Sequence, residues 1–278
     1  MPKSMVVVGA GATGTEFVYL FNRLGLAVTW IVDQFGVLPD FDRQAAQTLV
    51  AILARRGVTI VAGHMAERID QIEAGVAVAT TDGALHPAAA AFLAIGRKPD
   101  TADLNLAAAG LTLEKGTVMV DENGRSPQPH IYFAGDASGL PMIANRAMAQ
   151  AWAAGQAAAG QPPVPFSELT VIGAVYAEPQ VAQVGVLQGE GLKTVSVPFS
   201  ASLKSHLLPD EEAFVKLAYA GGKRPFNRGC CHRPPRRRRI GPPLWLPSTL
   251  VWLSPDLAAL YAAHPTLSEL AFAAARVA

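Results

Sequence analysis

Three glycines at fixed spacing, placed between an apolar run and an amphipathic one, constrain this chain more than any other feature. Residues 4–8 read Ser-Met-Val-Val-Val, and Gly9-Ala10-Gly11-Ala12-Thr13-Gly14 follows at once. A short β-branched run of this kind suits a buried parallel strand. Beyond Gly14, the apolar residues Phe17, Val18, Leu20, Phe21 and Leu24 recur at helical spacing, and Gly25 is a natural stop. The order is therefore strand, tight turn, helix. Gly9 permits the turn, Gly11 lets a backbone approach a pyrophosphate, and Gly14 lets helix and strand pack closely. The helix start then offers N–H groups and a partial positive charge to phosphates. The spacing alone also fits an ordinary glycine-rich turn; its position between strand and helix favours a dinucleotide.

The same alternation continues. Residues 27–32 read as a second strand, 44–56 as an amphipathic helix closed by Gly57, and 58–61 as a third strand. Strands are expected at 76–80 and 88–95 around the turn Thr81-Asp82-Gly83, then at 118–121 and 130–134. An alanine-rich helix spans 144–159 and a proline-rich linker 161–165. Strands follow at 170–176, 180–184, 195–199 and 213–219, and helices at 256–262 and 268–277, the last capped by Thr266 or Ser268. The fold class is α/β: a doubly wound, Rossmann-like domain followed by further domains. The second strand ends in Asp33, with no arginine beside it. A carboxylate there accepts from a ribose 2′-hydroxyl and repels a 2′-phosphate, which favours NAD over NADP. The same aspartate could simply open a solvated loop.

Half of the residues are apolar and 16% are charged, so a sizeable core is possible. No apolar run reaches the roughly 18 residues of a membrane span. The start carries no signal-peptide pattern, and a cytoplasmic protein without membrane partners is expected. Net charge is +1, but it is unevenly spread. Eight basic residues and no acidic one fall within 221–243, leaving 15 basic against 22 acidic elsewhere. Cys230 and Cys231 lie in the same stretch. Adjacent cysteines make neither a structural disulfide nor, with His232, an ordinary zinc site, so no metal is expected.

Further motifs resemble the pyridine nucleotide-disulfide oxidoreductases, the family of dihydrolipoamide dehydrogenase, glutathione reductase and mercuric reductase. Gly9 to Phe17, including Glu16, is similar to that family's internal dinucleotide fingerprint. Ala94-Ile95-Gly96-Arg97-Lys98-Pro99-Asp100-Thr101 resembles its Ala-x-Gly-Arg-x-Pro-Asn-Thr crossing, with Asp100 in place of asparagine. Ile131-Tyr132-Phe133-Ala134-Gly135-Asp136 resembles its second flavin motif, and Met142, Ile143, Ala144 and Asn145 match the segment that starts the next helix. His264-Pro265-Thr266, with Glu269, resembles the C-terminal signature of the thiol-active branches. The resemblance implies FAD and NAD(P) as cofactors, a small disulfide or dithiol substrate, and a homodimer. It implies that Gly96 approaches the nicotinamide nucleotide, that Ala66 lies near the adenine, and that Asp136 accepts from the ribityl chain. His264 becomes an acid/base oriented by Glu269, which is sound chemistry for an imidazole titrating near neutral pH.

Two departures qualify this picture. The family's first glycine-rich flavin motif and its Cys-x4-Cys pair are not in the sequence, so the chain is expected to be N-terminally truncated and, alone, not a complete enzyme. The stretch 221–255 shows no helix or strand period and reads as a compensated frameshift rather than a basic insertion. The expected division is 1–97 for NAD(P), 98–160 for the C-terminal part of a flavin domain, and 165–278 for dimerisation. Two other readings stay open: a non-catalytic dinucleotide-binding module, and an interaction protein acting through the basic patch. Nucleic acid is not the expected partner.

Overall fold

The computed structural model describes residues 1–163, 168–202, 212–220 and 248–249. Two compact units emerge: Met1–Ile95 together with the described residues from Ala174 onward, and Gly96–Gly173.

The first unit begins with β1 (Ser4–Val8), α1 (Ala12–Arg23), β2 (Ala27–Val32), α2 (Arg43–Arg55) and β3 (Thr59–Ala62). An antiparallel sheet of β4 (Ala66–Ile72), β5 (Gly75–Thr80) and β6 (Leu85–Ala88) follows, and β7 (Ala90–Leu93) returns to the first sheet. The parallel sheet has the order β3-β2-β1-β7, with Val6 opposite Thr29 on one side and Ala91 on the other. The central strands β1 and β2 are mostly apolar and largely buried, as strands covered on both faces are, while β3 is partly exposed at the sheet edge. Val7, Val28, Trp30 and Val32 pack with Val18 of α1 and with Leu49 and Leu53 of α2. Val6, Val8 and Ile31 face Val78 of β5 and Ala88 of β6. Asp42 caps α2, its carboxylate accepting from the Ala45 N–H at 3.1 Å. Phe17 of α1 stacks on Phe92 of β7 with ring centroids 4.2 Å apart, which fixes the helix against the sheet.

Of the expected strand over 88–95, Ala90–Leu93 forms β7, whereas Ala88 ends β6 (Leu85–Ala88), a strand of the other sheet that was not anticipated. Strand β4 was not anticipated either. Its sequence, Ala-Glu-Arg-Ile-Asp-Gln-Ile, is charged and mostly exposed, as an edge strand tolerates.

Later in this unit, β8 (Gly173–Val175) and β9 (Val181–Gln183) form a small sheet. The antiparallel pair β10 (Leu192–Pro198) and β11 (Phe214–Ala220) buries Val215 and Leu217 against Val195, Val197 and Phe199. Within 221–255, where nothing regular was expected, β12 (Ser248–Thr249) pairs in parallel with Ala182 and Gln183 of β9. A two-residue bridge has no periodicity to read. The rest of that stretch, both cysteines and the helices expected over 256–262 and 268–277 lie outside the described residues.

The second unit holds short 3-10 turns and one long helix, α3 (Ala144–Ala158). The strands expected at 118–121 and 130–134 are not formed. Those segments fold back around the turn at 121–125, and the bridge Arg125–Tyr132 is isolated. Phe133 N–H donates to the Gly124 carbonyl and Asp121 N–H to Arg125, so turn residues use the groups a ladder would need.

Candidate functional site

The glycine turn crosses the C-terminal edge of the parallel sheet, where ligands bind in doubly wound folds. Gly9 has φ +104°, and a Cβ on it would lie 2.3 Å from the Ala94 carbonyl oxygen. A Cβ on Gly14 would lie 2.1 Å from the Gly9 carbonyl oxygen. Both glycines are therefore demanded by packing alone. Gly11 differs, since a Cβ there would find nothing within 4 Å. The space above it is open, as an approaching pyrophosphate requires. Gly11 is also the N-cap of α1, and no side chain caps that helix. Its first N–H groups have no competing side-chain acceptor, and this donor set fits a dinucleotide.

Neighbouring groups hold the edge together. Gly9 N–H donates to Ile31 at 3.1 Å and Leu38 N–H to Ala10 at 2.8 Å. Gly63 N–H and His64 N–H both reach the Val32 carbonyl, at 2.9 and 3.3 Å. Asp33 follows directly, half-buried, with Oδ1 accepting from the Phe35 N–H at 2.9 Å. It thus shapes a turn and still stands at the sheet edge. Glu16 is the fifth residue of α1, beyond its first turn, and accepts from the Tyr176 N–H at 2.9 Å. Ala66 packs against the core cluster of Val6, Val8 and Ile31. Nearby, the Asp82 carboxyl is held below its ordinary range. The Thr80 hydroxyl donates to it at 2.7 Å, the Ala84 N–H adds a second bond, and His64 adds a smaller electrostatic effect.

A groove of about 840 Å³ in the first unit lies between residues 34–43, α2 and residues 183–188. None of Gly9, Gly11 or Gly14 lines it. The open glycine turn is the better candidate because its donors and its shape match one ligand chemistry.

In the second unit, Gly96 has φ +131° and an exposed backbone with nothing near its Cβ position. Asp136 is exposed on a 3-10 turn, Gly135–Ser138. Two residues of α3 fix that turn from beneath. Arg146, with a side chain only 4% exposed, donates from Nη1 to the Gly139 carbonyl at 2.9 Å and pairs with Glu168 at 3.4 Å. Gln150 Oε1 accepts from the Gly135 N–H at 2.9 Å and the Ser138 hydroxyl at 3.0 Å. Met142 and Ile143 are half-buried, while Ala144 and Asn145 stand exposed at the start of α3, which has no side-chain cap. An exposed carboxylate beside an uncapped helix start suits one edge of a flavin nucleotide. Arg146 and Gln150 escaped the sequence reading. The available signal was a polar pair four residues apart in an alanine-rich helix.

His264 and Glu269 lie outside the described residues. Among the described residues, no group of three or more His, Cys, Asp or Glu could hold a metal, and no helix is long and apolar enough to cross a membrane.

Fold and glycine turn together define a doubly wound α/β protein of the dinucleotide-binding type. More specifically, the chain belongs to the pyridine nucleotide-disulphide oxidoreductase family, whose profile matches residues 1–151. It is 34% identical over 224 residues to an NAD(P)H dehydrogenase (quinone) of Mycobacterium tuberculosis, covering 78% of this chain and 45% of that one. It is 31% identical over 229 residues to the dihydrolipoyl dehydrogenase of Chlorobaculum tepidum, covering 79% and 49%. The crystal structure of LpdA from M. tuberculosis superposes with a TM-score of 0.82 at 29% identity, covering 99% of this chain and 61% of that one. The chain thus spans about half the length of curated relatives it matches. The family is FAD- and NAD(P)-dependent.

Proposed function

We propose that these 278 residues contribute the nicotinamide-nucleotide site, part of the flavin site and the dimerisation region of an NAD(P)H:disulfide or dithiol oxidoreductase. The geometry of the glycine turn carries this reading: two glycines locked by packing and a third left open under an uncapped helix start. Residues 1–97 hold the nicotinamide nucleotide. Gly9, Gly11 and Gly14 form its pyrophosphate cradle, and Gly96 offers backbone to the nicotinamide half. Glu16 braces α1 through Tyr176. Asp33 selects NAD over NADP by accepting from the 2′-hydroxyl, and Ala66 borders the adenine side.

Residues 98–160 hold one edge of the flavin. Asp136 accepts from a ribityl hydroxyl, while Met142, Ile143, Ala144 and Asn145 lie along the ring. Bound flavin supplies reversible two-electron storage between nicotinamide and sulfur. Residues 165–278 form the homodimer. There His264, oriented by Glu269, exchanges a proton with the substrate dithiol. The polypeptide of these residues by itself does not complete the reaction, because its cysteines are limited to the adjacent pair Cys230 and Cys231. Ligands also bind weakly to half of a preorganised pocket.

Calorimetry on the purified chain tests the reading. NAD(H) should bind in preference to NADP(H), Gly11→Val should abolish binding, and no stoichiometric flavin should co-purify. Equal affinity of wild type and Gly11→Val would remove the nucleotide assignment. A full flavin spectrum would remove the claim of incompleteness.

A further inference from the structure

Trp30 lies in the middle of β2 with none of its surface exposed. It alternates with Val28 and Val32 on the face that meets α1 and α2. A valine-like residue would fill that role without a polar group. An interior indole brings an N–H that requires an acceptor. Here Trp30 Nε1 donates to the Gly9 carbonyl oxygen at 2.9 Å.

That carbonyl also fills the space where Gly14 would carry a Cβ. Two consecutive residues of β2 therefore grip Gly9, the Ile31 carbonyl taking its N–H and the Trp30 indole its carbonyl. A trans peptide points its carbonyl and N–H in opposite directions. Holding the Gly9 oxygen toward the core turns the Ala10 N–H away from it. A pyrophosphate is anionic, so a turn that binds it must offer N–H groups and withhold carbonyl oxygens.

We propose that Trp30 is a positioning residue for nucleotide binding: its indole N–H holds the Gly9 carbonyl inward, so that the turn presents donors only. This rests on the reading of Gly9 to Gly14 as the dinucleotide cradle. Trp30→Phe keeps an aromatic ring and removes the donor. Leu53→Ala damages the same core without touching the turn, and so serves as a control for lost stability.

NADH affinity by calorimetry should fall about tenfold in Trp30→Phe, the loss of roughly one hydrogen bond's worth of preorganisation. The folded fraction of Leu53→Ala should keep wild-type affinity. In ¹⁵N-labelled wild type, the Trp30 indole resonance should exchange slowly with solvent and shift when NADH saturates the site. Wild-type affinity in Trp30→Phe overturns the proposal and leaves the cradle standing. Wild type that binds no NADH removes both. If Trp30→Phe does not fold, the wild-type resonance decides: an indole signal unmoved by NADH overturns the proposal.

Discussion

Lys216 Nζ lies 2.9 and 2.8 Å from the two carboxylate oxygens of Asp42, a residue 174 positions earlier. The pair joins β11 to the start of α2, and the two side chains are 13% and 3% exposed. Asp42 also caps α2, and its own N–H donates to Gln183 Oε1 at 2.6 Å. Asp42 thus ties α2 to two strands, its carboxylate serving α2 and β11 and its N–H reaching Gln183 at the end of β9. Asp42→Ala should cost about 3–5 kcal/mol, because it strands a shielded ammonium and removes a cap. Lys216→Met should cost less, since the cap survives. The double variant Asp42→Ala with Lys216→Met should lose less than the two single losses summed, since neither charge is left stranded. Urea denaturation of the three variants measures this; strictly additive losses would mean the pair is not coupled.

The three glycines should separate folding from binding. Gly14→Ala places a methyl 2.1 Å from the Gly9 carbonyl oxygen and should destabilise by about 1–3 kcal/mol. Gly9→Ala adds an unfavourable φ of +104° to its own clash and should be worse. Gly11→Ala meets nothing within 4 Å and should fold as wild type while losing about tenfold or more in NADH affinity. Thermal melts beside calorimetry read the two effects separately. An unstable Gly11→Ala would contradict the open space seen above that residue.

The strand, turn and helix around the glycines were legible because their signals are local. Buried β-branched runs, an apolar helical period and a glycine stop all lie within 25 residues. Strand β4 was not legible, since one side faces water and its charges hide the alternation. Isolated bridges replaced the strands expected near 118 and 130 because a strand needs a partner that local pattern does not specify. Long-range contacts were hidden for a similar reason. Nothing near Trp30 announces a bond to Gly9, and nothing near Asp42 announces Lys216. Asp33 was found as an acidic residue at a strand end, but its bond to the Phe35 N–H needed coordinates.

Arg146 should be the most sensitive position of the second unit. Its guanidinium holds the carbonyls flanking the Asp136 turn, at 3.4 Å to Gly135 and 2.9 Å to Gly139. Arg146→Met fills similar volume and leaves the Gly139 carbonyl without its guanidinium donor, while the Gly135 carbonyl keeps the Ser138 hydroxyl at 2.8 Å. A cost of about 3 kcal/mol is expected, shared between the desolvated Gly139 acceptor and the lost pair with Glu168. Gln150→Leu should cost about 1–3 kcal/mol through the Gly135 N–H. Hydrogen exchange at residues 135–139 should quicken in both, and unchanged protection there would show that the turn holds itself.

The last expectation concerns acid. Asp82 closes the hairpin between β5 and β6, and the Thr80 hydroxyl is the largest cause of its lowered pKa. Thr80 is fully buried, and His86 Nε2 lies 3.0 Å from the same hydroxyl, so the donor is fixed in place. A carboxyl whose pKa is lower folded than unfolded stabilises above the ordinary aspartate value of about 3.9. That contribution fades as pH falls through the lower, folded value. Asp82→Asn removes the titration while keeping most of the shape. Wild type should therefore exceed Asp82→Asn in stability at neutral pH, and the two should converge as pH drops below about 3.9. Urea midpoints taken across that range give the comparison; a constant gap at every pH would assign the difference to shape rather than charge.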